Sequence, residues 1–178
     1  FEEGKNLTVD FQSAQGSTAN AAQIAKKFAG ANPDAIIAIT TPSAQAVAAA
    51  TKNIPLIYTA VTDPVGAKLV PSLEPSHTHT TGVSDELPVG PQIDLMKKLV
   101  PNLKTIGYVY SPGEVNSTTV LERLKAKAAE QNIEVAAAPA QRSADVLTAA
   151  RSLGGKADVI FTSLDNNVVS SYESMYKA

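Results

Sequence analysis

An α/β fold with parallel sheets and helices on both faces is what this sequence predicts, on three observations. Short apolar runs alternate with alanine-rich or amphipathic runs through both halves of the 178 residues. The stretches between them are rich in Thr, Ser, Asp, Asn and Pro, which cap helices and close turns. The segment Asp34–Asp63, DAIIAITTPSAQAVAAATKNIPLIYTAVTD, shows the pattern most clearly: strand, polar hinge, helix, strand, polar hinge.

In chain order, Asn6–Gln12 alternates apolar and polar residues and predicts a half-buried strand. Ser17 to Gly30 predicts a helix, with Ile24, Ala25 and Phe28 inward and Gly30 at its end. Within the β-α-β unit, Thr41 is expected to cap a helix whose first residue is Pro42, because proline needs no amide partner there. Thr62-Asp63-Pro64 repeats that cap-then-proline pattern after the next strand. The stretch from Val65 to Thr81 reads as a long connection, and Gly82 to Asp85 as a short extended segment.

The same rhythm continues beyond it. Ile93, Met96, Leu99 and Val100 share one helical face, and Thr105–Tyr110 is a strand. Asn116–Gln131 is a helix in which Thr119 and Glu122 could form a capping box. Ile133–Ala138 is a strand, Ser143–Leu153 a helix and Asp158–Ser163 a strand, and Leu164–Asn167 opens a last helix. We therefore expect two Rossmann-like lobes, residues 1–83 and 84–178, with a cleft between them.

Composition narrows the function. A net charge of −2 with interspersed signs leaves no basic footprint for nucleic acid or an anionic membrane. No run approaches the roughly 18 apolar residues of a membrane-spanning helix. Cysteine is absent, which removes thiolate chemistry and cysteine-based metal sites. His77 and His79 are the sole histidines and share one polar loop, so neither a metal site nor a serine–histidine pair is expected. No phosphate-loop, dinucleotide or nucleophile-elbow motif occurs, and no cofactor is expected. Binding without catalysis is the reading these absences favour.

Ligands of open parallel sheets bind at the carboxyl edge of the strands. In the first half that edge carries Thr41, Ser43, Ala60, Thr62 and Asp63; in the second, Glu114, Asn116, Ser117, Asp165 and Asn166. Hydroxyls and helix-start amides on one wall suit a carboxylate, and Asp165 on the other suits an ammonium, so a zwitterion fits. Each of these residue types also serves as an ordinary helix cap or turn residue, which leaves a purely structural role open for any one of them.

Four segments carry a resemblance: Ala38-Ile39-Thr40-Thr41-Pro42-Ser43-Ala44-Gln45; Ile54 to Ala67, with its Ala60-Val61-Thr62-Asp63-Pro64-Val65-Gly66-Ala67; Thr81-Gly82-Val83-Ser84-Asp85; and Asp165-Asn166. Together they resemble the ABC-transporter substrate-binding family of the tryptophan/tyrosine type. The resemblance implies a type 1 periplasmic-binding-protein fold, an extracytoplasmic location in the periplasm or on a lipid anchor, and a monomer that closes on an amino acid, aromatic by resemblance, and presents it to an ABC permease. It implies that Thr41, Ser43, Ala60 and Thr62 hold the α-carboxylate, that Asp165 holds the amine, and that Asn116 and Ser117 cover the ligand. It also implies segments ahead of Phe1 and beyond Ala178. A ligand-sensing domain of a regulator and a small-molecule enzyme on the same scaffold are the competing expectations.

Overall fold

A computed structural model describes residues 1–75 and 78–178. It contains two three-stranded sheets, both parallel. The first takes strands β1 (Ile36–Ile39), β2 (Leu56–Val61) and β3 (Thr80–Ser84) in that order. The second takes β4 (Thr105–Tyr110), β5 (Glu134–Pro139) and β6 (Val159–Phe161), with β4 in the centre.

Helices α1 (Thr18–Ala31) and α2 (Thr41–Ala50) build the first core with one face of the first sheet. Ser17 caps α1 by accepting from the amide of Asn20 at 3.3 Å. The helix ends at Asn32, not Gly30, because Asn32 takes the left-handed conformation (φ 50°) and its amide closes on Phe28. Ile36 and Ala38 point into this core, whereas Ile37 and Ile39, on the opposite face of β1, are 69% and 53% exposed. Helices on both faces are thus not found for this sheet among the described residues.

The strand expected over Asn6–Gln12 does not form. Glu3 and Leu7 make one isolated bridge, and Phe11 is 77% exposed. Alternation supplies an apolar face, but a strand also needs a neighbour to satisfy its backbone groups, and no strand pairs with this segment among the described residues. The expected extended segment at 82–85 does pair: β3 runs parallel to β2.

The second sheet is covered on both faces. Helices α3 (Val89–Leu99) and α4 (Val115–Ala129) enclose Ile106 and Tyr108, while α5 (Val146–Arg151) covers Val109. Two sequence expectations fail here. The inward residues of α3 are Val89, Ile93 and Met96, while Leu99, the last residue of the helix, is exposed. Thr119 and Glu122 form no capping box, because α4 starts one turn earlier and its N-cap is Glu114. Asp158 ties β6 to β4 through the amides of Lys104 and Thr105, both at 2.8 Å, and these bonds hold its carboxyl below the usual range. The chain ends in two short helices, α6 (Asn166–Ser170) and α7 (Tyr172–Tyr176).

Polar contacts join the two halves outside the sheets. After β2 the chain makes consecutive turns, so the expected helix cap at Thr62-Asp63-Pro64 is absent. Asp63 instead accepts from Gly66 N at 2.8 Å, and a Cβ on Gly66 would strike that carboxylate. Its second oxygen faces α4, 3.5 Å from Thr119 Oγ1 and 3.8 Å from Arg123, which also binds Glu86 at 3.0 Å. Leu124, on the inward side of α4, is fully buried. Leu124→Ala is expected to lower the unfolding free energy by about 2–5 kcal/mol, read from the midpoint of urea denaturation.

Candidate functional site

The carboxyl ends of β1 and β2 lie side by side, with Thr40 N donating to Thr59 O at 3.0 Å. Thr40 (φ 78°, ψ 156°), just past β1, and Ala60 (φ 53°), near the end of β2, adopt positive φ. Both conformations favour glycine, and for a β-branched threonine the cost is about 1–3 kcal/mol. The turn at Thr40 makes that residue, not Thr41, the N-cap of α2, with Thr41 first and Pro42 second in the helix. Thr40 makes no side-chain capping bond; its hydroxyl lies 3.5 Å from that of Ser43. The shift by one residue removes Thr41 from the capping role. Its hydroxyl is buried, at 1% residue exposure, and has no partner among the described residues.

The facing wall is built from two buried carboxylates. Glu114 accepts from Asn116 Nδ2 at 3.0 Å and from Asn166 through its backbone amide (3.1 Å) and its Nδ2 (2.6 Å). Asn116 Nδ2 donates also to Leu164 O at 3.0 Å, while Asn116 Oδ1 is buried without a partner among the described residues. Asp165 is fully buried and caps α6: it accepts from Val168 N (3.0 Å), Ser111 N (2.6 Å) and Ser111 Oγ (2.8 Å). Beneath them the Tyr108 hydroxyl lies 2.6 Å from Ser163 Oγ and 3.3 Å from Ser117 Oγ. Burial pushes the Tyr108 pKa up, partly offset by those two hydrogen bonds, so the phenol is neutral.

Between the walls is a cleft of about 290 Å³. Thr40, Thr41 and Ala60 line it from the first half, and Asp85 lines it from the connection after β3. Asn116, Asp165 and Asn166 line it from the second half, with Leu164, Val169 and Ser170 completing that wall. Of the residues named from the sequence, Thr41, Ala60, Asn116, Asp165 and Asn166 meet here. Ser43, Thr62, Asp63 and Ser117 do not line the cleft. Ser117 is used by Tyr108, and Asp63 by Gly66 and α4.

Asp165, expected to hold an ammonium, carries structural bonds in this geometry. Asp165 lines the cleft and accepts two protein bonds at Oδ1 and one at Oδ2, so it ties the loop after β4 to the start of α6. Sequence reasoning missed Thr40, Asp85, Leu164, Val169 and Ser170. Asp85 could have been found by the carboxyl-edge rule, because it directly follows a strand. His77 lies outside the described residues, and no group of three or more metal-ligating side chains occurs among the described residues.

The family model described as ABC transporter substrate binding protein matches residues 1–178. The chain belongs to that family. A tyrosine-binding protein of Clostridioides difficile (strain R20291) is 44% identical over 171 residues, 96% of this chain and 50% of the relative. Among solved structures, a conserved domain protein from Vibrio cholerae O1 biovar El Tor is 49% identical with a TM-score of 0.97, covering 99% of this chain and 60% of that one. An ABC domain in complex with L-Trp from Streptococcus pneumoniae is 34% identical with a TM-score of 0.94, covering 98% and 59%. The ligand-free, open structure of a substrate binding protein with adhesive properties from Clostridium difficile is 42% identical, yet its TM-score is 0.62 over 99% and 60%.

The chain thus spans about half the length of the tyrosine-binding relative and about 60% of these structures. The fold is of the periplasmic-binding-protein kind. The tryptophan complex is less alike in sequence than the ligand-free, open structure, 34% against 42% identical, yet superimposes more closely, with a TM-score of 0.94 against 0.62.

Two results are expected from the site's backbone and clamp. Thr40→Gly and Ala60→Gly should each raise the unfolding free energy by about 1 kcal/mol in thermal melts, by relieving positive φ. Asp165→Ala should lower it by about 1–3 kcal/mol, because buried amide donors lose their acceptor.

Proposed function

We propose that the chain is the ligand-gripping part of an extracytoplasmic solute-binding component of an ABC importer, and that its cleft takes one amino acid zwitterion with an aromatic side chain. The observation that carries this reading is a pair of orphaned polar atoms, Thr41 Oγ1 and Asn116 Oδ1, on opposing walls of one cleft. A buried polar group without a partner costs about 1–3 kcal/mol, and a ligand bonding both removes that cost only when the walls are together. The hydroxyl can donate to a carboxylate, and the start of α2 adds a partial positive charge. The amide oxygen of Asn116 can only accept, which suits an ammonium.

Support for an aromatic amino acid comes from the relative named for tyrosine binding and the similar structure bound to L-Trp. Leu164 and Val169 offer an apolar wall for the side chain. We read residues 1–83 and 84–178 as two lobes that close about the connection following β3. Contact with both lobes gives the ligand the differential affinity that closure requires. A permease would then recognise the closed form. No side chain in the cleft is paired as nucleophile and base, and the named relatives are binding proteins, so we assign no reaction.

The test is a thermal-shift and calorimetric screen of the full-length protein against the twenty amino acids, purines and simple sugars. L-Tyrosine, L-tryptophan or L-phenylalanine should stabilise it by about 2.7 kcal/mol at a hundredfold excess over the dissociation constant. Stabilisation by sugars or purines alone would refute the assignment. Thr41→Val should weaken amino acid binding by about tenfold and leave the ligand-free protein as stable or more so, since it replaces an unpaired buried hydroxyl with a methyl. A hydroxyl serving the fold alone would instead lower ligand-free stability and spare affinity.

A further inference from the structure

We propose that Asp85 is the carboxylate that meets the cationic end of the bound amino acid, the part expected of Asp165; this rests on the reading of the cleft as an amino acid site. Three acids stand at or near the cleft. Asp165 is buried, with both oxygens occupied, and Glu114 is held by three N–H donors and does not line the cleft. Asp85 lines the cleft and is exposed, and its side chain has no hydrogen bond or ion pair with any described residue. No lysine or arginine lines the cleft to neutralise it.

Its placement is built into the ladder between β2 and β3. Tyr58 pairs with Gly82 and Val61 with Ser84, so three steps along β2 match two along β3. That is a bulge in β2, and Ala60, with φ 53°, lies in it. The bulge brings the Tyr58 carbonyl onto Gly82, where any Cβ would collide with that oxygen and with the Tyr58 ring. Beyond the bulge, Asp85 N donates to Val61 O at 2.8 Å, which fixes where β3 ends and the connection begins. Gly82 and Asp85 thereby act as one unit: the glycine admits the bulge, and the bulge delivers the acid beside Ala60.

The cleft then has an asymmetric pattern. Thr41 and the start of α2 supply donors, while Asp85 and Asn116 Oδ1 supply acceptors from the connection and the facing wall. A ligand lacking the amine would meet Asp85 with no compensating charge and gain nothing from it. Selection for an amine therefore falls on Asp85.

The experiment is calorimetry on the full-length protein and its Asp85→Asn variant with L-tyrosine, L-tryptophan and the des-amino compound 3-(4-hydroxyphenyl)propionate. Asp85→Asn should weaken both amino acids by about tenfold or more and leave the des-amino compound no weaker than with the natural residue, at an unchanged ligand-free melting temperature. Amino acid affinities within about twofold of the natural protein's would overturn the assignment, as would an equal loss for all three compounds. If the natural protein itself binds neither amino acid, the amino acid reading fails and the role of Asp85 falls with it; a loss confined to the variant tests Asp85 alone.

Discussion

The cleft depends on the backbone turning through left-handed conformations at Thr40 and Ala60, two neighbouring residues that are not glycine. An extended continuation of β1 would delay α2 by a residue and give Thr41 the ordinary work of a cap. The positive φ at Thr40 instead starts the helix at Thr41 and leaves its hydroxyl inside the cleft without a bond. At Ala60 the same kind of turn opens the bulge that sets the path of β3 toward Asp85. Strain at a binding edge persists only where the surroundings over-determine it, and here two parallel ladders and the α2 packing do so.

The second half solves a different problem. Glu114 and Asp165 are buried carboxylates with no cation in contact among the described residues. Neutral donors stabilise them: two from Asn166, one from Asn116, two from Ser111 and one from Val168. Bonds of this kind offset desolvation without cancelling charge. The wall thus holds two carboxyl groups whose oxygens are bound by neutral donors.

Much of the fold was legible in the sequence, because strand and helix periods are local and strong. The β-α-β unit from Asp34 to Asp63 and the strand Thr105–Tyr110 followed directly from them. The failure at Asn6–Gln12 has the opposite cause, since a strand is a pairing and pairing is not local. The site was legible as a pair of walls but not as a set of bonds. Thr41, Asn116 and Asp165 could be named from their place at strand ends. That Thr41 would be orphaned and Asp165 bound at both oxygens turned on one backbone angle and on contacts such as that between Ser111 and Asp165, 54 positions apart. Asp63 was drawn into the wrong role because an Asp-Pro pair reads equally well as a helix start or as an isolated turn.

The Asp63–Arg123–Glu86 cluster differs from the cleft in being open to water and its dissolved ions. It bridges the turn after β2, the connection to α3 and the outer side of α4, and only its Asp63–Arg123 contact joins the two halves. Ions of the medium weaken such bridges and leave the buried bonds around Asp165 nearly untouched. A saline milieu thus loosens the tie between the turn after β2 and α4, and a dilute one tightens it.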